Sequence, residues 1–202
     1  MKISQKRSTL FTFVFLVALG LYALRPSSLR AQESSGGSGS SSHLHSVGFG
    51  LGQYFLTGAF DNQGDDGLGF ALRYNYLGTG DVFHLNANLL YASLGGEQDF
   101  KMWGFTGGVK ANMIYLDTLV PYAVAGLGFY NPSVSIQGSR EGSLTFGFHL
   151  GVGADLVIND QFELGGELTF HNPFDTDTDT KAGKVDLNGA FFTMMIRGGY
   201  RF

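Results

Sequence analysis

The sequence predicts an all-β fold, an eight-stranded antiparallel up-and-down transmembrane β-barrel. Three observations lead to this prediction. Eight segments alternate between apolar residues and small or polar residues, short connectors alternate with long ones, and the apolar faces are rich in Phe, Leu and Tyr. A chain of 202 residues is long enough for one such domain with accessory segments.

The first 31 residues differ in composition from the rest of the chain. Three basic residues, the last of them Arg7, precede an apolar run, Leu10–Leu24, and small residues up to Ala31 follow. This order predicts a secretory signal peptide over residues 1–31, cleaved after Ala31. The alternative is an uncleaved anchor, for which the run is short. Residues 32–46 are rich in Gly and Ser and predict a flexible segment, so the barrel domain is expected at 47–202.

The clearest alternation runs from Leu144 to Val157. One face of this segment is apolar, as at Phe146 and Phe148, and the other is small or polar, as at His149. Successive side chains of a strand point to opposite faces, so this segment separates an apolar environment from a wetter one. The same kind of alternation predicts strands at Val47–Phe55, Leu68–Tyr76, Phe83–Tyr91, Trp103–Tyr115, Leu144–Val157, Phe162–His171 and Ala190–Phe202. An eighth strand is predicted at Tyr122–Tyr130, although both of its faces are apolar or glycine.

The polar faces carry Gly, Thr, Asn and isolated charges rather than the many Lys, Glu and Asp that soluble sheets expose. The sequence therefore predicts aromatic residues against lipid and small or polar residues in a narrow interior. A soluble sandwich or barrel with its aromatic residues inside is the alternative. Since lipid offers no partners for free backbone groups, the sheet is expected to close on itself.

The connectors alternate in length along the chain, as expected when turns lie on the periplasmic side and loops face outward. Short connectors are predicted at Gly78–Asp81, Asp117–Pro121 and Asn159–Gln161, and longer ones at Phe60–Gly67, Gly95–Met102, Asn131–Ser143 and Asn172–Asn188. Aromatic residues near the strand ends predict two interfacial girdles. The periplasmic girdle is predicted at Tyr74, Tyr76, Tyr115, Tyr122, Tyr200 and Phe202, and the outer one at Tyr91, Trp103, Tyr130 and Phe170.

Seven charged residues fall on faces predicted to point inward. An unpaired ion in a narrow lumen is costly to desolvate, so the sequence predicts a salt-bridge network there. One antiparallel register would pair Glu163 with Arg201 and Glu167 with Arg197. The predicted network comprises Glu163, Arg201, Glu167, Arg197, Arg73, Lys110 and Asp155. A selectivity ring in a pore is the alternative, but eight strands leave room only for the barrel's own side chains.

Three strand histidines, His84, His149 and His171, raise the question of catalysis. A hydrolytic site would need a Ser and a carboxylate beside a His, and no His-x-Ser motif occurs in the strands. The sequence therefore predicts no catalytic residues, and the histidines are expected to form hydrogen bonds in the interior.

The last long loop contains Asp175, Asp177 and Asp179, whose carboxylates could ligate Ca²⁺. The glycine and the distal Glu of an EF-hand loop are missing, so a solvated loop tip is expected and neither a metal nor a cofactor is predicted. The absence of Cys excludes a thiolate metal site and a cysteine nucleophile. A formal net charge of −4 gives no electrostatic argument for nucleic acid as a partner.

Three segments carry a family resemblance. Pro121–Phe129 reads PYAVAGLGF, Phe146–Asp155 reads FGFHLGVGAD and is followed by Leu164–Leu168, and the chain ends with alternating apolar residues up to Tyr200 and Phe202. Together they resemble the small bacterial outer-membrane β-barrel family that includes the OmpA transmembrane domain, the OmpX and Ail-like proteins, and OmpW. The ending resembles the signal that the barrel-assembly machinery reads, which would make Tyr200 and Phe202 the assembly signal.

This resemblance implies a location in the cell outer membrane. Implied partners are outer-membrane lipid and lipopolysaccharide, the barrel-assembly machinery, periplasmic chaperones, and a surface ligand at the long loops. The expected function is a structural or surface-interaction role, in envelope integrity or adhesion, without catalysis. The alternative is an OmpW-like channel for small solutes or hydrophobic molecules, and a lipid A-modifying enzyme is a distant third.

Overall fold

A computed structural model describes residues 43–79, 82–95, 99–136, 139–174, 178–180, 183–185 and 189–202. The predicted signal peptide and most of the Gly/Ser-rich segment lie outside these described residues. Within them, no helix has the length and apolarity needed to cross a membrane.

The described chain is almost entirely β-structure, with one four-residue helix. The elements in chain order are β1 (His45–Gly58), α1 (Phe60–Gln63), β2 (Gly67–Tyr76), β3 (Phe83–Gly95), β4 (Phe100–Asn112), β5 (Leu119–Ile136), β6 (Ser139–Gly142), β7 (Thr145–Val157), β8 (Phe162–Pro173), β9 (Thr178–Thr180), β10 (Gly183–Val185) and β11 (Gly189–Arg201). Strand β1 begins at His45, two residues before the predicted start of the barrel.

Eight long strands form a closed antiparallel ring. Their order is β4-β3-β2-β1-β11-β8-β7-β5, and β5 pairs back with β4 to complete the circle. The first and last strands close side by side, from Ser46 opposite Arg201 to Gly58 opposite Gly189. Closure satisfies the backbone groups that an open sheet edge would leave unpaired in lipid. The predicted eight-stranded barrel is confirmed.

The faces of the strands are distributed as the alternation predicts. Leu51, Phe105 and Ile196 are at least half exposed, whereas the intervening polar residues, such as Asn88 and Thr193, are buried. A protein in water would bury the first group and expose the second. The outer wall therefore suits acyl chains, and the polar positions line the interior.

Two of the tyrosines expected in the girdles, Tyr122 and Tyr130, are interior residues instead. Tyr122 is 1% exposed and Tyr130 is 0% exposed, because both lie on the inward face of β5. Glycines on the neighbouring strands leave room for their rings: Gly153 faces Tyr122, and a Cβ at Gly104 would approach Tyr130 to 3.0 Å. The girdle prediction is wrong at these two positions.

Candidate functional site in the barrel interior

The seven charged residues of the predicted network all lie on inward-facing positions. They lie on β2, β4, β7, β8 and β11, toward the strand ends that the short turns join. Alternation alone places them inside, because their neighbours along each strand are apolar residues that face lipid. The structure brings all seven into ion pairs.

Asp155 on β7 is the centre of one part of the network. Its Oδ2 lies 2.5 Å from Nζ of Lys110 on β4, and its Oδ1 lies 2.7 Å from Nη2 of Arg197 on β11. All three side chains are at least nine-tenths buried. One carboxylate therefore holds two cations from strands that are not its neighbours.

Glu167 on β8 is the centre of the other part. Arg73 donates to both of its oxygens at 2.7 and 2.8 Å, and the Tyr122 hydroxyl donates to Oε2 at 2.9 Å. Thr169 adds a fourth hydrogen bond at 3.0 Å. Arg197 joins the two parts, because it donates to Tyr122 and its Nη1 lies 3.6 Å from Glu167.

Glu163 and Arg201 form a separate pair nearer the mouth of the barrel. Arg201 donates from Nη2 at 2.6 Å and from Nε at 2.9 Å, and its side chain is 25% exposed. The predicted register is wrong by two residues, because Gly199 lies opposite Glu163 and Gly165 lies opposite Arg197. The long side chains span this offset, and Arg197 lies nearer to Asp155 than to Glu167.

An apolar layer fills the interior at the strand ends that carry the long loops. Phe60 from α1, Phe100 at the start of β4 and Phe191 on β11 are each fully buried. Phe60 packs against Phe100 and Phe191, with ring centroids 5.5 and 6.5 Å apart. The layer comprises Tyr54, Leu56, Phe60, Ala71, Leu90, Ala92, Leu94, Phe100, Met102, Tyr130, Val134, Phe191 and Met195.

Sequence reasoning missed this layer. The one sequence feature that could have indicated the layer is that Leu90, Phe191 and Met195 interrupt otherwise polar strand faces. Phe60 lies outside the alternating segments, so the pattern gives no indication of it.

The three histidines of the predicted strands, His84, His149 and His171, face inward. His171 lies between the Tyr130 hydroxyl at 3.1 Å and the Thr193 hydroxyl at 3.3 Å, and it stacks on Phe191 with centroids 4.6 Å apart. His149 lies directly opposite His171, but neither of its ring nitrogens has a hydrogen-bond partner in the described part of the chain. His84 lies opposite Lys110 on the neighbouring strand. The expected hydrogen bonding thus occurs at His171 and not at His149.

The proposed calcium ligands Asp175 and Asp177 lie outside the described residues, as does the side chain of Asp179. Across the residues that are described, no group of three or more His, Cys, Asp or Glu side chains could hold a metal ion.

The chain terminus lies on the outer wall at the short-turn end. Tyr200 and Phe202 are partly exposed there, and Phe202 exchanges backbone hydrogen bonds with His45 at 2.9 and 3.1 Å. Their role as an assembly signal stays a prediction.

The comparisons with known proteins agree with this architecture. The family model described as "Outer membrane protein beta-barrel domain" matches residues 11–202. A search among curated proteins returned no match.

Solved structures with the same fold include Neisserial surface protein A (NspA), which is 13% identical over 78% of this chain and 97% of its own, with a TM-score of 0.59. Ail of Yersinia pestis is 18% identical over 78% and 97%, with a TM-score of 0.52. OprG from Pseudomonas aeruginosa is 12% identical over 78% and 95%, with a TM-score of 0.54. These identities show a shared fold only, whereas the family model spans nearly the whole chain. The chain therefore belongs to the outer membrane protein β-barrel domain family.

Proposed function

We propose that this protein is a closed, non-conducting outer-membrane barrel that acts through its outer loops, in envelope integrity or surface interaction, without catalysis. The observation that carries the proposal is the filled interior. An eight-stranded barrel is only wide enough for its own side chains, and here two stacked layers of side chains occupy that space.

The ionic layer crosses the lumen. Arg73 on β2 reaches Glu167 on β8, although β1 and β11 separate these strands in the ring. Lys110 on β4 likewise reaches past β5 to Asp155 on β7. Side chains that bridge the lumen at 2.5–2.8 Å leave no room for a hydrated ion between them. The apolar layer on the loop side adds a second barrier, because it offers a passing ion no polar partner.

The outer loops offer a surface for interaction. Arg140 and Lys101 both pair with Asp99, at 2.9 and 3.3 Å, which ties the loop after β3 to the hairpin of β5 and β6. The four long connectors together contain ten carboxylates and four basic side chains. This balance favours a basic partner, or one bridged by divalent cations, because opposite charges steer association.

The same excess of acidic residues leads us to expect a ligand preference different from that of one structurally similar protein. Ail of Yersinia pestis has been solved in complex with the heparin analogue sucrose octasulfate, which is a polyanion. Acidic loops repel such a ligand, so we expect heparin to bind this protein weakly or not at all. Retention on a heparin column at physiological salt would contradict this expectation.

Planar-bilayer recording of the purified full chain tests the closed state. We expect no steady unit currents from the wild-type protein. A positive control combines Arg73→Ser, Glu167→Ser and Phe100→Ser, which removes a crossing pair and one ring of the apolar layer. Unit currents from the wild-type protein, of a size comparable to those of the control, would overturn the proposal.

One observation favours the alternative, a role with hydrophobic molecules. An open groove of about 500 Å³ lies on the lipid-facing wall, and it is lined by the short side chains of Ala111, Ala123 and Ala125 together with larger ones such as Val109 and Leu150. This volume is within the range of ligand pockets. The groove lies outside the barrel, so it suits binding better than conduction. Lipid A mass spectra with and without expression would test the enzyme alternative.

A further inference from the structure

A small polar cavity lies inside the barrel, between the ionic network and the mouth of the barrel at the short-turn end. It has a volume of about 10 Å³ and is lined by Ser46, Arg73, Asn75, Asp155, Glu163 and Arg197, together with several glycines. This is about the space that one water molecule needs. The cavity is therefore large enough for one small guest.

Three polar atoms of the lining residues have no partner in the described part of the chain. They are Nη1 of Arg73, Nε of Arg197 and Oδ1 of Asn75. Asn75 is 3% exposed, and both arginine side chains are at least nine-tenths buried. Buried donors of this kind are costly when nothing accepts from them. Two of the three unmet groups are N–H donors on cations.

The charges of the described interior do not balance. Arg73, Lys110, Arg197 and Arg201 face only three carboxylates, because Asp155 serves both Lys110 and Arg197. Each cation has a carboxylate within ion-pair distance, but the network of these seven residues carries a net charge of +1. An uncompensated charge in a narrow interior is more costly than a neutral, fully paired network.

We propose that one small inorganic anion of halide size, such as chloride, occupies this cavity. The free N–H groups of Arg73 and Arg197 would donate to it, and its charge would complete the balance of the interior. Half a turn of the Asn75 amide would let its Nδ2 donate to the anion. The Ser46 hydroxyl, which donates to Glu163 at 3.4 Å and lies 3.5 Å from the amide, would then turn to donate to Asn75 Oδ1.

Two further features of the lining bear on this site. Asp155 and Glu163 also line the cavity and oppose an anion, but both are already held by cations. Chloride is slightly larger than water, so the flexible ends of Arg73 and Asn75 must draw back a little to admit it. Water could satisfy the hydrogen bonds but would leave the charge unbalanced.

Bromide locates the site directly, because it scatters anomalously. Crystals of the full-length protein soaked in sodium bromide should show an anomalous peak between Arg73, Asn75 and Arg197. A peak without anomalous signal would mean that the cavity holds only water, and it would overturn the proposal.

Urea unfolding gives a second, independent readout. Unfolding is compared in sodium chloride and in sodium gluconate, whose anion is too large for the cavity, at equal ionic strength. A chloride concentration ten times the dissociation constant should raise the folded-to-unfolded ratio about elevenfold. Equal midpoints in the two salts would contradict the proposal.

Two variants test the charge argument. Asn75→Asp places a resident carboxylate beside the free N–H groups, so it should remove both the bromide peak and the chloride effect. Lys110→Met removes the excess charge without changing the cavity lining and should also remove the chloride effect. Lys101→Met is the matched control, because that lysine pairs with Asp99 at the loop end, and it should behave as wild type. A chloride effect that persists in Asn75→Asp would overturn the assignment.

Discussion

Glu167→Gln is the substitution to which the ionic layer should be most sensitive. The carboxylate receives two hydrogen bonds from Arg73, one from Tyr122 and one from Thr169, and its side chain is 8% exposed. Gln keeps the shape but removes the charge, so Arg73 is left buried without a counterion. Breaking a buried ion pair in this way costs about 3–5 kcal/mol. Since 1.4 kcal/mol is a factor of ten, the folding equilibrium should fall on the order of a hundredfold or more.

Glu163→Gln is the matched control on the same strand. Among the described residues, the one ion pair of Glu163 is with Arg201, whose side chain is a quarter exposed and can keep contact with water, and Ser46 adds a hydrogen bond at 3.4 Å. Partly exposed pairs contribute little, so this change should cost about 1 kcal/mol. The assay is urea unfolding in lipid vesicles, followed by the difference in gel migration between the folded barrel and the boiled protein.

A double variant separates the cost of an unpaired charge from the value of the pair. Arg73→Met combined with Glu167→Gln removes both charges, and such replacements are often close to neutral. We therefore expect the double variant to regain most of the stability lost in Glu167→Gln. If Glu163→Gln is as damaging as Glu167→Gln, or if the double variant recovers nothing, burial is not what makes this layer sensitive.

Three further substitutions test other parts of the barrel. Phe100→Ala removes a fully buried ring from the apolar layer and should cost about 3–5 kcal/mol in the same unfolding assay. Gly126→Ala should lower the free energy of unfolding by about 1–3 kcal/mol, because the added Cβ would lie 2.6 Å from both the Gly108 Cα and the His149 ring. Gly107→Ala is the control: its Cβ would meet nothing closer than 3.9 Å, so stability should not change. Phe202→Ala should slow assembly into the outer membrane of cells without lowering the stability of the folded barrel. The rate of assembly is measured as the ratio of folded to unfolded protein in pulse-chase gels. An unchanged rate would refute the role of this residue as an assembly signal.

The strands and their faces were predictable because lipid imposes a simple rule on them. Every residue of a membrane strand faces either acyl chains or the lumen, so the alternation from Leu144 to Val157 shows which side chains point outward and which point inward. The seven interior charges follow from the same rule. Alternation assigns Arg73 or Asp155 to the inside without any knowledge of its partner.

The partners themselves were not predictable from sequence. A register offset of two residues changes which side chains lie opposite each other without changing which face they occupy, because the period of a strand is two. The pairs Arg73–Glu167 and Lys110–Asp155 join strands that are not neighbours. Such contacts depend on the width of the closed barrel rather than on sequence spacing.

The apolar layer shows why alternation is less informative beyond the predicted outer ends of the strands. Strands β3, β4 and β5 continue past their predicted outer ends, and their inward residues there, such as Leu94, Met102 and Val134, are apolar. Outward residues at that level, such as Ser93 and Lys101, are polar, so the contrast between an apolar outer face and a polar inner face is lost there. Phe60 brings the loop after β1 onto Phe100 and Phe191, at the starts of β4 and β11. Three outer connectors thus share one core, and a change in that core should disturb the exposed loops before it disturbs the ionic layer below.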